Sequence, residues 1–247
     1  MVNVRVTPMP RVRITEPFDD PERIADWRVA RNRYTIGMPI EAILFDADGV
    51  IQRPTADRRA QWTALVGGAD EAVGRFKCDI FAVERPYHDG DGDFLSALHE
   101  VLVRWNCTGS LDDALRAWTA IEVDSDIVEL IAGIRASGMP CHLATNQEPY
   151  RARHMTEKLN YRAVFDRLFF SCELGCSKPD PRYFRTILDA LSLPPEAVLF
   201  IDDTQPNIAA AQDLGIRAEL FGADTATDAV QEMQRILLRH GIATANA

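Results

Sequence analysis

Three short apolar stretches end in side chains able to do chemistry. Asp46 and Asp48 follow Ala42-Ile43-Leu44-Phe45, Thr145 and Asn146 follow residues 139–144, and Asp202 and Asp203 follow residues 197–201. A fourth stretch, Leu168-Phe169-Phe170, ends at Ser171, a weaker candidate, and Lys178 stands just ahead of Asp180-Pro181. Carboxylates gathered in one place repel one another and stay ionised together only around a cation; an all-oxygen set suits Mg²⁺. Lys178 would add positive charge. A carboxylate nucleophile, a neutralising cation and fixed positioning are what phosphoryl transfer requires. Each group alone also has an ordinary explanation. Asp48-Gly49 is a turn sequence, Thr145-Asn146 a strand end or helix cap, Lys178 a solvated lysine, and Asp202-Asp203 a cap for the next helix. The chemical reading therefore depends on a fold that brings them together.

The surrounding pattern predicts such a fold. Residues 42–45, 139–144, 168–170, 197–201 and 216–221 are short continuous apolar runs, as expected of parallel strands covered on both faces. Between them Ile127, Leu130, Ile131 and Ile134 repeat at helical spacing, with Gly138 as a stop. Asp180 and Pro181 read as N-cap and first residue of a helix reaching Leu191, and Pro206 opens another that ends at Gly215. Alternating strands and helices predict an α/β fold, a Rossmann-like doubly wound parallel sheet whose ligands sit beyond the carboxyl ends of the strands. Residues 54–124 depart from this rhythm. They contain no convincing strand but several helical patterns, at 58–66, 94–105 and 111–121, and read as an all-α insertion after the first strand.

Here the residues resemble a known family. Phe45-Asp46-Ala47-Asp48-Gly49-Val50, Leu143-Ala144-Thr145-Asn146-Gln147, Lys178-Pro179-Asp180-Pro181 and Phe200-Ile201-Asp202-Asp203 are similar, in order, to the four motifs of the haloacid dehalogenase superfamily. Ser171-Cys172-Glu173-Leu174-Gly175 and Asn207-Ile208-Ala209-Ala210-Ala211 extend the resemblance, which covers residues 40–222. It implies a division into an N-terminal extension, 1–39, a core made of 40–53 and 125–247, and a helical cap domain, 54–124. It implies that Asp46 is the nucleophile that becomes an aspartyl-phosphate and Asp48 the acid, then base. Thr145 and the Asn146 backbone N–H would hold phosphoryl oxygens, and Lys178 would neutralise the nucleophile and the phosphoryl charge. Asp202, the Asp46 carboxylate and the Asp48 carbonyl oxygen would bind Mg²⁺. Asp203 would act through water or orient Lys178, and Gly49 would let the chain turn towards the cap. Members of the superfamily that expel halide leave no oxygen to protonate and typically lack an acid two residues after the nucleophile, so Asp48 favours a phosphate ester. The helical segment is loosely similar to those of sugar-phosphate phosphatases and of the phosphatase domains fused to epoxide hydrolases, which makes a sugar phosphate the leading substrate. A phosphomutase of the β-phosphoglucomutase type would keep the same site, and a binding protein that kept the fold and lost catalysis is the third possibility.

Other features carry less. Asp89, Asp91, Asp93 and Glu100 match positions 1, 3, 5 and 12 of a calcium loop, but Phe94 stands where the turn glycine belongs, so a turn with Asp93 as helix N-cap is the expectation. Tyr87, His88 and Asp89 are placed either to meet substrate or in a surface loop. His154 is expected at a surface or interface, and His99, His142 and His240 have no partner spacing. Five scattered cysteines, with no Cys-x-x-Cys pair, point to free thiols in a reducing compartment, and Cys172 and Cys176 lack zinc spacing. The 247 residues carry a net charge of −10, which argues against nucleic acid and anionic membranes as partners. The charge is uneven: seven arginines face five acids in residues 1–39. No run approaches the ~18 apolar residues of a membrane span, and the arginine-rich start contains too many acids for a transit peptide. The cytoplasm is the expected location; the oligomeric state is not legible.

Overall fold

The computed structural model describes residues 38–68, 70–90, 92–222 and 229–243. The expected extension, 1–39, lies outside them except for Met38 and Pro39. Five parallel strands form the central sheet: β1 (Ala42–Phe45), β4 (Cys141–Thr145), β5 (Arg167–Phe170), β6 (Val198–Asp202) and β7 (Arg217–Leu220), in the order β5-β4-β1-β6-β7. β1 pairs with β4 on one side (Ile43 opposite Cys141) and with β6 on the other (Ala42 opposite Val198). β1 is covered above and below, which is why it is apolar at every position instead of alternating.

Successive side chains of β1 point to opposite faces. Ile43 and Phe45 join Leu143, Leu199 and Ile201 in a cluster covered by the helices Ser125–Ala136 and Ala229–Arg239, through Ile127, Ile131, Met233 and Ile236. Leu44 goes the other way, with Ala144, Val198 and Phe200, under the helices Pro181–Leu191 and Gln205–Leu214, through Phe184, Ile187 and Ile208. Local sequence starts the Pro181–Leu191 and Gln205–Leu214 helices close to where it was expected to. Asp180 accepts from Arg182 N at 2.8 Å with Pro181 as the first helical residue.

After β1 the chain runs through β2 (Gln52–Pro54) into four helices, Arg58–Val66, Asp70–Glu84, Phe94–Arg104 and Leu111–Trp118, and returns through β3 (Ile121–Val123). The helices share a core of their own, built on Trp62, Phe76, Ile80, Leu98, Val101 and Trp118. β2 and β3 pair antiparallel, Gln52 opposite Val123 and Pro54 opposite Ile121. This corrects the expectation of no strand in 54–124 and of a helix reaching Ile121. Three residues are too few to show a period, and the pairing joins segments almost seventy residues apart. Among the described residues no helix is long and apolar enough to cross a membrane.

Candidate active site

The sheet order reverses at β1, whose neighbours β4 and β6 lie on opposite sides, and the crevice at such a reversal is where parallel sheets hold ligands. The register creates the site there. Phe45 is opposite Ile201 and Asp46 N donates to Ile201 O at 2.9 Å, so Asp46 emerges beside Asp202, the last residue of β6. Both are buried, and Lys178 is buried with them. Its Nζ donates to Asp46 Oδ1 at 2.8 Å, Asp202 Oδ2 at 2.6 Å and Ala144 O at 2.9 Å. Asn146 holds the lysine's backbone from both sides. It donates through Nδ2 to Lys178 O at 2.8 Å and accepts Lys178 N on Oδ1 at 2.9 Å. Asp202 is fixed further by Thr204 N at 2.7 Å and by Asn207 Nδ2 at 3.1 Å. Thr145 is buried at the end of β4, and Ser171 accepts from Gln147 N at 3.0 Å.

Asp46, Asp202 and Asp203 each offer an oxygen within 4.8 Å of the others. Three carboxylates face one ammonium. Burial, reinforced by Asp202 and Asp48, pushes the Asp46 carboxyl up to about 7 against the pull of Lys178. Burial also raises Asp203, with Asp202 adding to it, while Lys178 is raised because Asp46 and Asp202 outweigh its own desolvation. A cluster short of positive charge, with oxygen donors only, fits a hard divalent cation such as Mg²⁺. Asp203 reaches Thr204 Oγ1 at 3.0 Å; the lysine's carboxylate contacts are Asp46 and Asp202. Gly49 is tied to this group. Its φ is +80°, and a Cβ there would lie 2.0 Å from Asp203 Oδ2.

Asp48 sits on the open side of the crevice, its side chain 41% exposed. Its Oδ1 accepts from Arg151 Nη2 at 2.7 Å and Gln52 Nε2 at 3.0 Å, and its Oδ2 from Gln147 Nε2 at 2.7 Å. Desolvation alone would raise its pKa, but Arg151 and the two amides override it and hold the carboxyl below its usual range. Arg151 and Gln52 were not singled out from the sequence, and Gln147 was quoted only as part of a motif. One signal was available for Arg151. It falls in the first turn of the helix Pro149–Glu157, where a cation opposes the helix dipole unless something pays for it.

The remaining candidates go elsewhere. Asp93 caps the Phe94–Arg104 helix, accepting Leu95 N at 3.0 Å; Glu100 is exposed on that helix, and Asp91 lies outside the described residues. Tyr87 packs on Phe94 and His88 pairs with Glu84 at 2.8 Å. His154 is half-buried, and His240 pairs with Glu219 at 2.7 Å. The five cysteines are free thiols.

A family model for haloacid dehalogenase-like hydrolase matches residues 40–215, which contain Asp46, Asp48, Thr145, Asn146, Arg151, Lys178, Asp202 and Asp203. The chain belongs to that family. Among family relatives, the bifunctional epoxide hydrolase 2 of Sus scrofa is 25% identical over 221 residues, covering 81% of this chain but only 39% of its own length. The chain thus spans well under half of that protein. The D-ribitol-5-phosphate phosphatase of Bacteroides thetaiotaomicron is 26% identical over 209 residues, covering 80% of this chain and 98% of its own. A crystal structure of a HAD family enzyme from the same organism, a magnesium complex, superposes with a TM-score of 0.62 at 19% identity, covering 76% of this chain and 96% of its own. That likeness bears on the haloacid dehalogenase-like fold, a parallel sheet flanked by helices.

Proposed function

We propose that the protein is a Mg²⁺-dependent phosphomonoester hydrolase acting on a small metabolite phosphate, with a sugar or polyol phosphate as the leading class. The observation that carries this reading is the buried Lys178 clamped between Asp46 and Asp202, with Asp48 two residues beyond Asp46 on the open side. A nucleophile, a fixed cation and a separate acid–base group are the parts that phosphoryl transfer through a carboxylate requires. The similarity to a polyol-phosphate phosphatase over most of both chains supports the substrate class.

Asp46 attacks phosphorus as the bond to the leaving oxygen breaks, and Asp48 passes to that oxygen a proton taken from the monoanionic ester. Water then attacks the aspartyl-phosphate while Asp48 takes its proton, releasing phosphate and restoring Asp46. Lys178 neutralises charge beside the nucleophile, and Thr145 with the Asn146 N–H holds phosphoryl oxygens. Asp46, Asp202, the Asp48 carbonyl oxygen and, directly or through water, Asp203 would hold Mg²⁺. The ion supplies charge neutralisation to the phosphoryl group when bound. The four helices between β2 and β3 serve as a cap over this rim. Phosphate release from a panel of sugar, polyol and nucleoside phosphates, with p-nitrophenyl phosphate as control, tests the proposal in Mg²⁺ and in EDTA. Metal-dependent release is expected. Isomerisation of a hexose phosphate without release would make the protein a mutase, and no reaction on any ester would remove the catalytic reading.

A further inference from the structure

The Asp48 carboxylate is held by an arginine that the helical insertion supports. Arg151 donates through Nη2 to Asp48 Oδ1 at 2.7 Å, its side chain only 7% exposed. Its guanidinium carbon lies 5.5 Å from the ring centroid of Trp118, the last residue of the Leu111–Trp118 helix. The same indole donates through Nε1 to Glu148 Oε1 at 3.0 Å, and that oxygen also accepts Arg151 N at 2.8 Å. Trp118 therefore grips one turn of the core twice. Its ring faces the guanidinium, and its N–H binds the carboxylate that caps the helix carrying Arg151. A surface ion pair contributes little and needs no such scaffold. Here a buried arginine is braced by one domain's aromatic ring and aimed at the other's acid.

We infer that Arg151 is a positioning residue that directs the Asp48 carboxylate, and that Trp118 makes this direction depend on the helical insertion being seated on the core. The inference rests on the reading of Asp48 as the group serving the leaving oxygen. A guanidinium can stack on a ring and donate from its planar fork at once, which an ammonium on a flexible stem does poorly. Moving the insertion withdraws the ring and leaves Arg151 without its support, so that Asp48 is directed only by Gln52 and Gln147. The acid is fully directed only when the site is covered.

Two aryl esters of similar size separate this from a structural role. Phenyl phosphate has a poor leaving group that needs a proton; p-nitrophenyl phosphate has a good one that does not. In single-turnover release of the phenol by the Mg²⁺-loaded enzyme, Arg151→Gln should slow phenyl phosphate by at least about tenfold more than p-nitrophenyl phosphate. Arg151→Lys should recover part of that ratio, and Trp118→Leu, which leaves Asp48 and Arg151 intact, should reproduce the selective loss. Equal slowing of both esters, or no change, in Arg151→Gln and Trp118→Leu would overturn the inference while leaving the hydrolase reading intact. Failure of the unaltered enzyme to cleave either ester would overturn both.

Discussion

Lys178 is buried between Asp46 and Asp202, and its removal leaves two buried carboxylates facing each other. Breaking a buried pair from one side costs roughly 3–5 kcal/mol because the partner charge is stranded. Lys178→Met is therefore expected to unfold at much lower denaturant than the unaltered protein in EDTA. Asp46→Asn should behave oppositely. Burial raises the Asp46 carboxyl to about 7, so its ionisation already opposes folding as pH rises from the ordinary carboxylate range through that value. The amide should abolish turnover without lowering the melting temperature at pH 8 in EDTA; full activity in this variant would exclude the covalent route. His142 gives a second pH effect, away from the site. Burial holds it neutral, with its pKa lowered to about 4. Between pH 6.5 and 4 the unfolded chain takes up a proton that the folded one refuses, so stability falls as pH falls through that window, by up to roughly 3 kcal/mol. Its Nδ1 has no hydrogen-bond partner among the described residues. His142→Phe should lose less stability than the unaltered protein between pH 7 and 4.5 in urea titrations.

The turn after β1 shows how an element carries chemistry. Gly49 adopts a φ of +80°, and a Cβ would collide with the Asp203 carboxylate at 2.0 Å. Gly49→Ala combines backbone strain of about 1–2 kcal/mol with a displaced oxygen donor, so calorimetric titration should show weaker Mg²⁺ binding as well as a lower melting temperature. Unchanged binding would detach Asp203 from the ion. Elements of this kind were legible in the sequence to different degrees. The strand ends at Asp46, Thr145 and Asp202 could be read because a fully covered parallel strand must be apolar throughout and its last residue then stands out. The helices that begin at Asp180-Pro181 and end at Gly215 carry their own stop and start chemistry. Elements fixed by remote partners were not legible. Gln52–Pro54 is a strand only because Ile121–Val123 lies beside it. Arg151 reaches Asp48 across more than a hundred residues, and the Trp118–Glu148 bond joins two segments with no shared motif. Lys178 was legible as a candidate, yet its choice of Asp202 over Asp203 depended on β-sheet register.

At the scale of the whole molecule, a chain of net charge −10 would have to attract a phosphate ester that its surface repels. The described site has one lysine in contact with Asp46 and Asp202, while its three clustered carboxylates have taken the charge balance negative. In the proposed reading the attraction comes from a bound cation, and the same cation would stabilise the fold. The unfolded chain does not bring Asp46, more than 150 residues ahead in sequence, to Asp202 and Asp203, so Mg²⁺ held by this set, as proposed, would bind the native state selectively. At a hundredfold excess over its dissociation constant that selectivity is worth about 2.7 kcal/mol. For a domain of this size it should raise the melting temperature by roughly 5–10 °C. Asp202→Asn keeps a hydrogen-bonding side chain for Thr204 N or Lys178 but removes a charge from the cluster, and should lose most of the rise. Scanning calorimetry with and without Mg²⁺ on the two proteins checks this without any substrate. An equal rise in both would mean that the ion binds somewhere other than the end of β6, and the positive charge needed at the site would then have to come from Lys178 and Arg151.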